Sequence, residues 1–181
     1  MLIDAAFLNF VITDIKNYFE KTLQRSLQEI DLSLFTSYLT LDAGINEGKN
    51  DVQFLFVYDK ESRHLQHCQP SDLQEELNGV AFQSPYGEFS FAGVPSEGMV
   101  SREDLFMDLL SVVSDSVDVK RMIVVSFNEE YGKKVTDVLQ GLKGKEVMQF
   151  RMNEPEIPVN YKWDMLAFPV MHSLGIRAEE L

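Results

Sequence analysis

The chain is poor in cysteine, in tryptophan and, above all, in positive charge. One cysteine, Cys68, and one tryptophan, Trp163, stand among 181 residues, and 16 Lys and Arg face 29 Asp and Glu, for a formal net charge of −13. A single cysteine excludes an internal disulfide framework and fits a reducing cytoplasm, which is the expected compartment. No apolar run approaches the ~20 residues that span a membrane, so no membrane partner is expected. The first residues have no basic stretch or small-residue cleavage site, and Asp4 and Asp14 interrupt any signal-like segment. Gly-x-Gly-x-x-Gly and Gly-Lys-Ser/Thr loops are missing, which removes the main support for a nucleotide-binding fold. The acidic balance opposes phosphate backbones on average. A local basic groove stays open through Lys120, Arg121, Lys133, Lys134, Lys143 and Lys145, although each reads singly as a solvated side chain.

What the chain does have is strands that run into acids. Met122-Ile-Val-Val-Ser-Phe127 in the central region reads as a buried parallel strand covered on both faces, and Asn128, Glu129 and Glu130 follow it. Met1–Ile3 ends in Asp4, and the strand at Asp51–Tyr58 ends in Asp59. Phe7, Val11, Ile15, Phe19 and Leu23 form the apolar stripe of a first helix. A second helix is expected at 32–41, with Asp31 or Ser33 as its cap. Ser71 and Gln74 suggest a capping box for a short helix stopped by Gly79, and Glu88–Ala92 alternates as a strand. Ser101 and Asp104 open a helix, another follows at 129–140, and a strand is expected at 145–150. A last helix is expected around 161–174, kinked at Pro169. At 181 residues the default is a single domain, 1–181, able to bury roughly 70% of its unfolded surface. Alternation of strands and helices gives an α/β, three-layer sandwich with a mostly parallel central sheet. Only three residues precede Asp4, short for a strand, which leaves room for a native chain reaching beyond Met1.

The order of these segments resembles the NYN domains of the PIN-like nuclease superfamily. Ile3-Asp4-Ala5-Ala6-Phe7-Leu8 is similar to that family's Ile-Asp-Gly-Ala-Tyr-Leu. Ser126-Phe127-Asn128-Glu129-Glu130-Tyr131 stands where the family has Ser-Gly-Asp-Ser-Asp-Phe. Gly144-Lys145-Glu146-Val147 matches its Gly-Lys-x-Val, and Asp108 falls where a further aspartate is carried. The resemblance, which covers most of the chain and points to a motif-degenerate bacterial member, implies a PIN-like, Rossmannoid fold. It also implies an acidic site at the strand ends, with Asp4, Asp108 and Glu130 as ligands of Mg²⁺ or Mn²⁺. Asn128 would then complete a catalytic set for metal-activated hydrolysis of RNA.

The chain departs from that pattern where charge matters. Asn128 is neutral where an aspartate is expected, Glu130 is one methylene longer, Phe127 replaces glycine, and Arg102 replaces an acid. A guanidinium among the carboxylates would relieve their mutual repulsion. The first expectation is therefore a degenerate site with a binding or interaction role toward a protein partner or RNA. The second is a divalent-metal-dependent ribonuclease, and the third an oligomeric scaffold without ligand. His64, His67 and Cys68 are too few for a structural zinc site, which needs four ligands. Tyr161, Trp163 and Phe168 read as core residues before they read as base-stacking platforms.

Overall fold

The computed structural model describes residues 1–181, and it carries the expected α/β three-layer sandwich. Its first elements are strand β1 (Leu2–Asp4), helix α1 (Ala5–Leu23), strand β2 (Ile30–Asp31), helix α2 (Leu32–Asp42) and strand β3 (Asn50–Tyr58). Strand β4 (Cys68–Gln69), a π-helical turn at Leu73–Leu77, and the hairpin of β5 (Ala81–Ser84) and β6 (Gly87–Pro95) follow. The remaining elements are α3 (Arg102–Asp115), β7 (Arg121–Val125), α4 (Asn128–Gln140), β8 (Glu146–Arg151), β9 (Lys162–Met165), α5 (Ala167–Ser173) and a closing 3₁₀ turn at Ala178–Glu180. Seven strands form one sheet in the order β5-β6-β3-β1-β7-β8-β9, parallel throughout except for β5 at the edge. Strands β2 and β4 make a separate two-stranded ladder. No helix is long and apolar enough to cross a membrane.

Alternation along the strands divides the core in two. Ile3, Phe54, Phe56, Ile123, Val125 and Phe150 turn to one face and pack with residues of α1, α2 and α5. Leu2, Val57, Met122 and Val124 turn to the other, against Phe106 and Leu110 of α3 and Tyr131, Val135 and Leu139 of α4. Successive strand residues pointing to opposite faces is the property that lets a short apolar run serve both layers.

The helices start where side-chain oxygens meet free backbone N–H groups. Asp4 caps α1 by accepting from Phe7 N (3.1 Å), Asp31 caps α2 by accepting from Ser33 N (2.9 Å), and Ser101 caps α3 by accepting from Asp104 N (3.0 Å). Two local expectations are corrected. Asp72, not Ser71, caps the turn at Leu73–Leu77, because its carboxylate accepts from Gln74 N and Glu75 N. The region expected as one long helix at 161–174 divides into β9 and α5. Lys162–Met165 pairs in parallel with β8, and Pro169 falls in the first turn of α5, where its missing N–H costs little.

Chain order places the site. From β1 the chain moves outward to β3 and β6, then crosses back to β7 on the other side of β1. The order therefore reverses between β1 and β7, and at such a reversal the loops leaving the carboxyl ends part to form a crevice.

Candidate functional site

Asp4 ends β1 at this crevice with no exposure at all. Its Oδ1 is used in capping α1, so Oδ2 faces the crevice. There it accepts from Arg102 Nε at 3.0 Å and from the Tyr131 hydroxyl. Arg102 enters from the first turn of α3, directly after the Ser101 cap. Its three nitrogens are each given to a different carboxylate: Nε to Asp4, Nη1 to Asp59 at the end of β3, and Nη2 to Glu130 in the first turn of α4. The guanidinium also lies over the Phe127 ring, 5.6 Å from its centroid, and Phe127 in turn packs at a tilt on Phe7 and stacks on Phe10. The Arg102 side chain is 13% exposed, while Asp59 and Glu130 open progressively to solvent at 30% and 46%.

The electrostatics follow from this arrangement. Carboxylates about 4 Å apart repel by about 4 kcal/mol at an effective dielectric of 20, so three of them need a cation between them. Here the cation belongs to the protein. Burial alone would make Arg102 easier to deprotonate, but the surrounding charges of Asp4, Asp59 and Glu130 outweigh it and raise its pKa above the ordinary value. For Asp59, burial acts to raise the pKa, but hydrogen bonds from Ser62 and Arg102 prevail and lower it. Tyr131 is pushed up by burial and by the neighbouring Asp4 charge. Neither Arg102 nor Tyr131 therefore exchanges a proton near neutral pH. Tyr131 sits at a break in α4, with φ −144° and ψ 24°, which leaves its ring against Phe106 and its hydroxyl on Asp4.

Of the residues expected at the site, Asp4 and Glu130 meet, joined through one guanidinium. Asn128 does not face that guanidinium. Its Oδ1 accepts from Ser126 Oγ (2.7 Å) and Gln149 Nε2 (3.3 Å), within a neighbouring network in which Gln149 Oε1 also accepts from Tyr161 and Arg151. Asp108 is exposed on α3 and stands apart from the group. It follows Arg102 by six residues, which is about 240° of rotation and ~9 Å of rise, so the helix cannot present both to the crevice. The residues that sequence reasoning left out are Asp59, Tyr131 and Gln149. Asp59 carried a usable signal, since it ends a strand adjacent to β1 in the same way as Asp4.

This donor set does not suit a divalent cation. Mg²⁺ needs near-octahedral oxygen ligation at about 2.0–2.1 Å, whereas the space between these carboxylates is filled by the guanidinium, the Asn128 oxygen is engaged elsewhere, and Asp108 is remote. No group of three His, Cys, Asp or Glu has the disposition of a metal site. His64 and His67 pair instead with Asp72 and Glu29, and the Cys68 thiol is buried.

No curated protein and no solved structure matches the chain. A family model does, and its match runs over residues 1–181: the chain belongs to the family of unknown function DUF6621.

Proposed function

We propose that this chain is a PIN-like, NYN-type domain whose strand-end acidic site has been closed by Arg102, and that it acts by binding a partner, not by hydrolysing phosphodiesters. The observation that carries this reading is the guanidinium standing among Asp4, Asp59 and Glu130, with one nitrogen for each carboxylate. A fixed organic cation there supplies the charge balance that a metal would supply, but it carries no water to activate and no open coordination position. The engaged Asn128 oxygen and the outward Asp108 support the same conclusion. What remains at the carboxyl edge is a rigid, acidic, partly aromatic rim suited to recognition.

Isothermal calorimetry with Mg²⁺ and Mn²⁺ up to millimolar concentration tests this, alongside incubation of a fluorophore-quencher RNA with Mn²⁺. The unaltered protein should give no saturable heat and no cleavage. Arg102→Ala should gain saturable cation binding, which Asp4→Ala in the same background abolishes. Saturable binding by the unaltered protein, lost in Asp4→Ala and accompanied by RNA cleavage, would overturn the proposal and restore the metal-dependent ribonuclease.

A further inference from the structure

Far from the acidic crevice, two cavities of about 490 and 660 Å³ open at the amino-terminal edge of the sheet. They share Arg121, Met122 and Ile123, so they adjoin at Arg121 and together make a groove along the starts of β3, β1, β7, β8 and β9. Its floor is apolar, made by the partly exposed Leu55, Leu142 and Val147 over the buried Leu2 and Met122. Its rim is basic. Eight of the sixteen Lys and Arg of the chain are in ion pairs, and of the eight that are not, Lys49, Lys120, Lys145 and Lys162 line this groove. Lys145 is occupied with the carbonyls of Ser116 and Val119, at the end of α3 and in the turn beyond it. Lys49, Lys120 and Lys162 are exposed, Lys120 with one hydrogen bond to the Val117 carbonyl at 3.0 Å. Of the groove's own acids, Glu146 is held by Arg121 at 2.9 Å, which leaves Asp51 and Asp118. In a chain of net charge −13, this is a locally cationic surface over an apolar floor.

We propose that this groove docks an extended segment of a partner protein in which carboxylates alternate with aliphatic side chains. Charge complementarity selects an acidic occupant, and the floor selects an aliphatic one. A bare phosphodiester strand satisfies only the first requirement. The only aromatic side chain lining the groove is Tyr161, half-buried with its hydroxyl bound to Gln149, so bases have no platform to stack on. The length is also defined. Four strand spacings of ~4.8 Å separate the start of β3 from that of β9, about 19 Å, which an extended peptide covers in roughly six residues. The groove and the Arg102 crevice share no residues, so the two proposals fail independently.

The test is a fluorescence anisotropy titration of the full chain into a labelled octapeptide of alternating Glu and Leu, at low and moderate salt. An octapeptide of alternating Lys and Leu and a labelled octauridylate serve as comparators. The expected result is saturable binding of the Glu/Leu peptide alone, weakened by salt. Binding should fall at least tenfold in K49E/K120E/K162E and by an intermediate amount in K49M/K120M/K162M, with the melting transition of each variant retained. No saturation at millimolar protein, or equal affinity in the charge-reversed variant, would overturn the proposal. Tighter binding of octauridylate would reassign the groove to nucleic acid.

Discussion

Replacing Arg102 with Met removes the cation from a buried carboxylate while keeping much of the side-chain volume, and the cost can be apportioned from the structure. Glu130 is nearly half exposed and can turn to water, so its pair contributes about 0–1 kcal/mol. Asp59 keeps its hydrogen bonds from the Ser62 amide and hydroxyl, at 2.9 and 2.8 Å. Asp4 has no exposure and cannot be resolvated without unfolding the start of α1. Stranding a buried charge costs about 3–5 kcal/mol, a large part of the ~5–15 kcal/mol that holds a typical domain. For a chain of this size the melting temperature should fall by roughly 6–20 °C. Urea denaturation at pH 7, followed through the fluorescence of the single tryptophan, Trp163, measures the loss. The sharper test is a double-mutant cycle. Asp4→Asn should destabilise the protein when Arg102 is present, yet stabilise it in the Arg102→Met background, where it removes an uncompensated charge and its amide oxygen still accepts from Phe7. A loss below ~1 kcal/mol for Arg102→Met, or a cost for Asp4→Asn that is equal in both backgrounds, would refute the reasoning.

Three further outcomes are expected. Tyr131→Phe keeps the ring contact with Phe106 at 5.4 Å but removes the hydroxyl from Asp4, and should cost about 1.5–3 kcal/mol in thermal or urea unfolding; a loss under ~0.5 kcal/mol, the scale of a surface change, would show that Asp4 does not need it. The Arg25 guanidinium, with backbone help from Arg177, holds Glu180 at about 2, below its ordinary 4.5. Its folded value is the lower one, so its contribution is complete above 4.5 and lost as pH falls toward 2. Unfolding titrations across that window should slope less steeply in Arg25→Met, and identical slopes would count against the pairing. Burial, with a smaller push from Glu29, raises the Cys68 thiol to about 12. Native protein at pH 8 should therefore react with a disulfide reagent far more slowly than protein in urea, and rapid native labelling would contradict the buried placement.

The layers of this fold were legible where one physical signal dominated. The apolar runs at Leu2, Phe54 and Ile123 could only be buried strands, and the Phe7–Leu23 stripe could only be a helix on their face. Both β5 and β9 were missed because each is a four-residue edge strand, where pairing with a neighbour outweighs any periodicity of its own. In β9 the aromatic and apolar residues between Tyr161 and Leu174 imitate a helical stripe. Asp4 and Glu130 were legible from their positions at element ends, since strand termini and first helical turns share an edge, and Arg102 from standing where the resembled pattern carries an acid. Asp108 lies apart from the other acids, on the exposed side of α3, a placement not legible because a match along the sequence says nothing about rotation around a helix axis. The Ser126–Asn128–Gln149 network lay beyond reach for a related reason: it depends on the register of β7 against β8, which pairs Val124 with Gln149.

Strand β1 is three residues long, yet it is the seam of the whole sheet. Leu2 pairs with Leu55 on one side and Val124 on the other, and Ile3 pairs with Phe56 and Val125. Within the sheet, the β5-β6-β3 wing and the β7-β8-β9 wing are hydrogen-bonded to each other only through this strand, whose partners come from distant parts of the chain. Closing such remote pairings is entropically slow, so the step that joins the two wings is expected to come late. Successive residues of a strand bond to opposite neighbours, and Met1 exchanges its backbone bonds with β3, so a proline at position 3 would strip a ladder bond from the β3 wing and one at position 2 a bond from the β7 wing, like a hinge losing one pin or the other.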